Sequence, residues 1–105
     1  MTNVFLMTDA FSAAAEPTRR RILQMLANGP LSVSDIAAPF DVTRSAISQH
    51  LLLLVDAGLL EADKVGRQRV YRVRPAGLRR LQAEIDRFWT VKLDQLVADA
   101  HSLHD

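Results

Sequence analysis

Pro39 interrupts the stretch that most constrains the fold of this chain, because it divides two short helical patterns. Proline lacks a backbone N–H and is disfavoured inside a helix, and the nearby Asp41 favours a turn. Thr43 is of a residue type that caps a helix by accepting a hydrogen bond from a free backbone amide. Two short helices joined by such a turn form a helix-turn-helix. The sequence therefore predicts this unit over residues 32–55.

The second predicted helix has two chemically different faces. Apolar side chains recur at the spacing of one helical face and predict the side turned to the core: Ala46, Ile47, Leu51, Leu54 and Val55. The opposite face, near the helix start, carries Arg44, Ser45, Ser48 and Gln49. Arginine can bind a guanine edge, glutamine an adenine edge, and hydroxyls either a base or a phosphate. A solvated helix surface has the same residue types, so this face alone does not decide between the two interpretations.

A basic hairpin is predicted directly after the helix-turn-helix, over residues 60–74. Residues 60–63 and 68–73 are typical of strands, and Gly66 supplies the flexibility that a tight turn needs. Five cations lie in this segment: Lys64, Arg67, Arg69, Arg72 and Arg74. Such charge also protects an exposed sheet edge from pairing with another chain. Because the hairpin follows a helix-turn-helix, the sequence favours a wing that reaches the phosphates or the minor groove of DNA.

The ordered set of these motifs resembles the ArsR/SmtB-type winged-helix repressors over nearly the whole chain. The resemblance rests on five segments: Glu16–Leu23, Leu31–Ala37, Val42–Leu51, Ala57–Leu60 and the wing Gly66–Val73. It implies a homodimeric bacterial repressor that leaves its double-stranded DNA operator when an effector binds. The sequence does not identify a small-molecule effector.

The expected fold is mainly α (α+β), a winged helix-turn-helix with a two- to three-stranded wing. We expect one domain over residues 1–105, with Leu31–Val33 as the third strand beside the wing. Residues 1–15 and 76–105 are predicted to be dimerisation helices. The predicted DNA contacts are Thr43, Arg44, Ser45, Ser48, Gln49, His50, Lys64, Arg67 and Arg69.

Two residues of the second helix leave alternatives open. His50 is the weaker DNA candidate, because it either packs against the core or touches a phosphate. Leu52 lies in a run of four leucines, of which at least one must point away from the core. It either packs beneath the wing or gives the DNA face an apolar contact, such as one with a thymine methyl.

Apolar residues at both ends of the chain predict a dimer interface. An apolar tetrad, Val4–Met7, opens the chain, and it packs either within the monomer or against a second copy. A long apolar stripe at helical spacing follows the wing and exceeds what one small domain can cover. The predicted interface residues are Phe5, Leu6, Phe11, Leu78, Leu81, Ile85, Phe88, Trp89, Leu93 and Leu96. A hydrophobic effector pocket between the subunits is an alternative use of the two aromatic residues Phe88 and Trp89.

The distribution of charge and the composition of the chain indicate which classes of protein and of site it can form. Residues 42–74 contain six cations and three anions, whereas the whole chain carries a net charge of +1. A cationic face on a nearly neutral protein is typical of a sequence-selective DNA binder. The chain has no cysteine, which excludes disulfides, thiolate metal sites and thiol switches. No apolar run is long enough to span a membrane and no secretory signal opens the chain, so we expect a cytoplasmic location.

Neither a phosphate-binding glycine loop nor a nucleophile elbow is present, so the sequence predicts neither an enzyme nor a bound cofactor. Two other hypotheses remain. Asp99, His101 and His104 are ligand types that suit zinc, and a metal-responsive repressor would use them across the dimer. The resembling family's pattern has a second ligand pair further along, beyond Asp105, so a polar helix end is the preferred interpretation. A winged helix used only for protein–protein assembly is the other alternative, against which the basic wing argues.

Overall fold

The computed structural model describes residues 9–104, and the side chains as far as Ser102. The helices in this part are α1 (Ala10–Ala15), α2 (Pro17–Leu26), α3 (Val33–Ala37), α4 (Arg44–Asp56) and α5 (Pro75–His104). The strands are β1 (Leu31–Ser32), β2 (Leu60–Val65) and β3 (Gln68–Val73). This arrangement confirms the expected mainly helical winged helix-turn-helix. No helix among the described residues is both long and apolar enough to cross a membrane.

Side-chain caps fix where the helices of the helix-turn-helix begin. The hydroxyl of Ser32 accepts a hydrogen bond from the Asp35 amide at 3.2 Å, and the hydroxyl of Thr43 accepts one from the Ala46 amide at 3.0 Å. The first helix of the pair ends at Ala37, two residues before Pro39. A proline disfavours helical geometry in the residue before it, so the chain leaves the helix ahead of Pro39.

The three strands form one antiparallel sheet in the order β1-β3-β2. The predicted third strand is present but shorter than expected, because Val33 already begins α3. Leu31 pairs with Tyr71, and Tyr71 is buried at the base of the wing. At the tip Val65 pairs with Gln68, and Gly66 between them has a φ of +64°. The wing is therefore anchored in the core at one end and projects into solvent at the other.

The core lies between α2, the helix-turn-helix and the base of the wing. Its fully buried side chains are all aliphatic: Ile22, Leu26, Ile36, Ile47, Leu51, Leu54, Leu59 and Leu60. Three of the five residues predicted for the inner face of α4 are fully buried, while Ala46 and Val55 are half-buried. Burying this face turns the opposite face of α4 outward.

Two glycines in close contact set the direction of α5. Gly58 ends α4 with a φ of +80°, the left-handed conformation expected after a helix C-cap. Gly77, in the first turn of α5, lies so close that a Cβ added to it would be 1.9 Å from the Gly58 carbonyl oxygen. Only a residue without a side chain allows this approach. Helix α5 therefore leaves the domain from a fixed point.

Three of the residues predicted for the dimer interface contact the core of the monomer. Leu81 is buried in the core cluster, and Leu78 and Ile85 pack against it. The core of the monomer covers Leu81 and part of Leu78 and Ile85, which the periodic pattern alone could not distinguish from cover by a partner. Every residue from 86 to 102 is exposed, so the apolar side chains of this distal part of α5 lie on the surface of the monomer. Phe5 and Leu6 lie outside the described residues.

Candidate nucleic-acid interface

The exposed face of α4 presents the four residues that the sequence singled out. Arg44, Ser45, Ser48 and Gln49 are all exposed, whereas Ile47 between them is fully buried. Thr43 takes part as the cap, and it satisfies one amide of the first helical turn. The remaining amides and the positive end of the helix dipole favour an anion such as a phosphate. Helix α4 therefore offers both base-reading side chains and a phosphate-binding end.

A cleft of about 300 Å³ joins the start of α4 to the wing. We call it the basic cleft, and its lining residues are Ser32, Val33, Ser34, Arg44, Ser48, Arg67, Gln68 and Arg69. It holds three guanidinium groups and no carboxylate. Guanidinium groups bind phosphate oxygens in a bidentate manner, and hydroxyl groups add further donors. The arrangement suits a phosphate backbone that passes between the recognition helix and the wing.

The basic cleft brings together four of the predicted DNA contacts: Arg44, Ser48, Arg67 and Arg69. It also contains Ser34 and Gln68, which the sequence interpretation did not select. Gln68 lies between Arg67 and Arg69 in the sequence, and this position next to two predicted DNA contacts could have identified it. Ser34 comes from α3 and reaches the cleft only because β1 carries the start of α3 next to β3. Ser45, Gln49 and Lys64 are exposed but lie outside the cleft lining.

Arg72 differs from the other cations of the wing because carboxylates neutralise it. Its Nε lies 3.5 Å from Oε2 of Glu61, and its Nη1 donates to Oδ2 of Asp63. Glu61 is its direct neighbour on β2, and Asp63 is the diagonal one. The positive charge of the wing therefore concentrates toward the tip, at Lys64, Arg67 and Arg69.

His50 is turned toward the interior of the domain. It is half-buried, and Arg19 Nη1 donates to its Nδ1 at 3.1 Å, since a guanidinium can only donate. Arg19 Nε also donates to the Ala13 carbonyl oxygen at 2.8 Å. Arg19 thereby joins α1, α2 and α4. This placement favours the packing alternative for His50 over contact with DNA.

Arg20 and Arg21 directly follow Arg19 in α2, and their side chains also contact other parts of the chain. Arg20 Nη1 donates to the Ala15 carbonyl oxygen at 3.2 Å. The Arg21 guanidinium stacks on the Phe40 ring at 4.8 Å from its centroid, a cation–π contact. The run of three arginines therefore serves packing around the helix-turn-helix.

Leu52 is 60% exposed and does not pack beneath the wing. It follows Ser48 by one helical turn, so the two residues share a face of α4. Of the two alternatives for Leu52, an apolar position on the DNA-facing side of α4 agrees with the structure.

The carboxylate of Glu16 stabilises the start of α2, and this contribution to the stability of the domain depends on pH. Burial raises the pKa of Glu16, but the backbone N–H of Arg19 and the electrostatic influence of the nearby His50 and Arg19 side chains lower it, and the net pKa is below its ordinary value. The ionised carboxylate caps α2 by accepting from the Arg19 amide at 2.8 Å. Because the pKa is lowered by folding, the stabilisation is fully present above the ordinary carboxyl pKa and is lost as the pH falls through the lowered one.

We therefore expect Glu16→Gln to destabilise the protein by about 1 kcal/mol at neutral pH, as loss of a helix cap does. The difference should shrink on acidification, as the pH falls through the lowered pKa and the wild-type carboxyl becomes protonated. Urea unfolding at neutral pH and over a series of acidic pH values measures it. Glu84→Gln on α5 is the control, because Glu84 caps no helix. A difference independent of pH would show that the charge of Glu16 contributes nothing.

The metal candidates do not form a site among the residues that the structure describes. Asp99 and His101 are exposed on α5, and no three histidine or carboxylate side chains in this region are placed to hold a metal ion. The His104 side chain and Asp105 lie outside the described part. The distal half of α5 instead has a shallow groove of about 460 Å³, which is lined by Phe88, Trp89, Lys92, Gln95, Leu96 and Asp99.

Known proteins are similar to this chain in both sequence and fold. The family model for bacterial regulatory proteins of the arsR family matches residues 16–62. The HTH-type transcriptional regulator Rv2034 of Mycobacterium tuberculosis is 46% identical over 81 residues, which cover 77% of this chain and 76% of that protein. The transcriptional repressor SdpR of Bacillus subtilis is 37% identical over 60 residues, which cover 57% of this chain and 67% of that protein.

A solved structure described as a possible transcriptional regulator for arsenical resistance superimposes with a TM-score of 0.78. It is 53% identical in sequence, and the match covers 87% of this chain and 95% of that one. The family, the relatives and the shared fold agree with the helix-turn-helix and the wing. The chain belongs to the arsR family of bacterial regulatory proteins, and it is a DNA-binding winged helix-turn-helix transcriptional regulator, not an enzyme.

Proposed function

We propose that the protein is a homodimeric repressor that binds a pseudo-palindromic operator through the major groove. The basic cleft carries this proposal, because it unites the reading face of α4 with the cations of the wing. The name of the related transcriptional repressor SdpR supports repression as the mode of regulation. In the dimer, two copies of α4 would enter successive major grooves about 34 Å apart.

The residues of the interface divide into two roles. Arg44, Ser45, Ser48 and Gln49 read base edges or position the start of α4 on the backbone, because they are exposed on its outer face. Lys64, Arg67 and Arg69 hold the phosphate backbone from the wing. Ser34 and Gln68 add donors within the basic cleft.

The exposed apolar surface of distal α5 supports dimerisation. Trp89 and Leu93 are each 54% exposed, and Leu96 is 60% exposed. Phe88 packs edge-to-face on Phe11 of α1 with 5.5 Å between ring centroids, so α1 and α5 form one continuous surface. Large contiguous apolar patches are rare on monomers and mark interaction sites.

The name of the solved relative refers to arsenical resistance, and a role in that resistance does not transfer directly to this chain. Thiolates are the ligands that soft metals and metalloids prefer, and this chain contains no cysteine. The proposal therefore assigns no cysteine-bound effector.

Fluorescence anisotropy on DNA from the region upstream of the protein's own gene tests the repressor proposal. We expect tight binding that survives competitor DNA and weakens steeply with salt, because phosphate contacts release counterions. Complete absence of binding, even at low salt, would overturn the proposal. Salt-dependent binding would also exclude a winged helix used only for protein–protein assembly.

Replacing Gln49 by Ala should relax the preference for one base pair in each half-site. A bidentate contact of glutamine with adenine discriminates against the wrong base by about 1–3 kcal/mol. Binding to a set of operators with single base-pair changes measures this preference. Gln82→Ala on α5 is the control, since it removes the same exposed side chain outside both the basic cleft and the distal groove. If Gln49→Ala weakened every operator equally, Gln49 would be a backbone contact.

A further inference from the structure

The distal half of α5 has a charged edge beside its apolar surface. Trp89, Leu93, Leu96 and Ala100 follow the three- and four-residue spacing of one helical face, and we call them the apolar stripe. Lys92 and Asp99 lie seven residues apart, which is about two helical turns, and so they share one edge of this stripe. Both line the shallow groove together with Trp89 and Leu96. One edge of the exposed face therefore carries one cation and one anion.

Neither charge is neutralised within the described part of the monomer. The ion pairs formed among residues 9–102 both involve Arg72 on the wing, far along the chain from α5. Lys92 and Asp99 are themselves too far apart to pair, since seven residues of helix span about 10 Å. The apolar stripe and its two charges therefore lack a partner of matching chemistry in the monomer.

A two-fold axis would bring these opposite charges together. In an antiparallel pair of identical helices, one edge of a helix meets the same edge of its partner, and residues pair symmetrically about the axis. We infer that the distal halves of α5 pair in this way about an axis near Gln95 and Leu96. Lys92 then lies against Asp99 of the partner subunit, and the reciprocal pair forms on the other side of the axis.

A parallel pairing fits the sequence less well. In a parallel pair, Lys92 would instead face the residues that flank the opposite edge of the partner's stripe, which are Thr90 and Val97. Neither of these two residues carries a carboxylate. The antiparallel arrangement gives two ion pairs and covers the stripe on both helices, because the same surface serves both subunits.

A different antiparallel register is also disfavoured by the structure. Pairing Lys92 with Glu84 of the partner subunit would move the axis to Phe88. There the face of α5 is already occupied by its own α1, because Phe11 contacts Phe88. The register centred on Gln95 and Leu96 uses only residues that are exposed in the monomer.

Exchanging the charges of Lys92 and Asp99 tests the inferred register. The register itself rests on the proposed homodimer. We expect Lys92→Glu and Asp99→Lys each to raise the dimer dissociation constant about tenfold, since each reversal turns two attractions into repulsions. The double variant Lys92→Glu/Asp99→Lys should return it to within about twofold of wild type. Sedimentation equilibrium at low ionic strength measures the constants, and circular dichroism confirms that each variant is folded.

The double variant Lys92→Glu/Glu84→Lys has the same charge change and serves as the matched control. It should remain as weak as Lys92→Glu alone. Rescue by Glu84→Lys, or no rescue by Asp99→Lys, would overturn the inferred register. A wild-type protein that stays monomeric would instead overturn the homodimer and the register together, and the DNA-binding measurement remains a separate test.

A disulfide provides a second measurement because the chain has no native cysteine. Leu96→Cys places one thiol next to its symmetry mate at the axis, where mild oxidation should give a covalent dimer. Val91→Cys, an exposed position on the other side of α5, should stay monomeric on a non-reducing gel. Equal cross-linking of the two variants would contradict an axis at Leu96.

Discussion

Replacing Gly77 by Ala should destabilise the protein by about 3 kcal/mol, the upper part of the usual range for overpacking. The new Cβ would lie 1.9 Å from the Gly58 carbonyl oxygen and 3.3 Å from the Leu59 Cα. These atoms belong to the backbone and cannot rotate away, so α5 itself has to move, and Leu81 would leave the core with it. Alanine favours a helix over glycine by only about 0.5–1 kcal/mol, which does not offset the clash. Urea unfolding at one fixed protein concentration measures the loss.

Two control substitutions separate the steric clash at Gly77 from the effect of a surface substitution and from backbone strain. Ala76→Ser alters the adjacent exposed position and should change stability by less than about 0.5 kcal/mol. Gly66→Ala places a side chain at a φ of +64° but in open space, so it isolates backbone strain of about 1–2 kcal/mol. A Gly77→Ala variant as stable as the wild type would mean that α5 does not approach the Gly58 turn this closely.

Removing both arginines of the wing from the basic cleft should reduce DNA affinity strongly and for all sequences alike. Arg67→Ala/Arg69→Ala takes two phosphate contacts from each subunit, and hence four from the proposed dimer. The slope of log affinity against log salt concentration falls by about 0.9 per contact, so it should flatten by about 3–4. Anisotropy titrations over several salt concentrations, on the operator and on unrelated DNA, measure both effects.

Arg87→Ala is the matched control for charge, because Arg87 is exposed on α5 and lies outside the basic cleft. It should leave the salt slope nearly unchanged. Equal slopes for the wild type and the wing variant would show that the wing does not touch the DNA backbone. Loss of affinity on the operator alone would instead assign these arginines to base reading.

The short-range patterns of the sequence predicted the elements of the DNA-binding unit well. Thr43 as cap, the break before Pro39 and the turn at Gly66 depend on local backbone preferences, which act within a few residues. The buried face of α4 follows from helical periodicity alone. The resemblance to the ArsR/SmtB-type repressors was confirmed for the same reason, since its motifs lie on these locally determined elements.

The features that the sequence patterns left open depend on contacts between distant segments. Leu81 shows the same periodicity whether it faces its own core or a partner, and only the Gly58–Gly77 contact that aims α5 decides which. Arg72 resembles the other wing cations in sequence, but strand register sets it beside Glu61 and Asp63.

By itself, the sequence determined a winged helix-turn-helix with a polar reading face and a basic wing, because local propensity and periodicity suffice for helices, turns and hairpins. Only the tertiary structure decided which side chains share a surface. It brought Ser34 of α3 and Gln68 of β3 into the cleft with Arg44, and it turned His50 toward Arg19. The reason is physical: the approach of segments far apart in the chain depends on core packing and strand pairing, which no local pattern encodes.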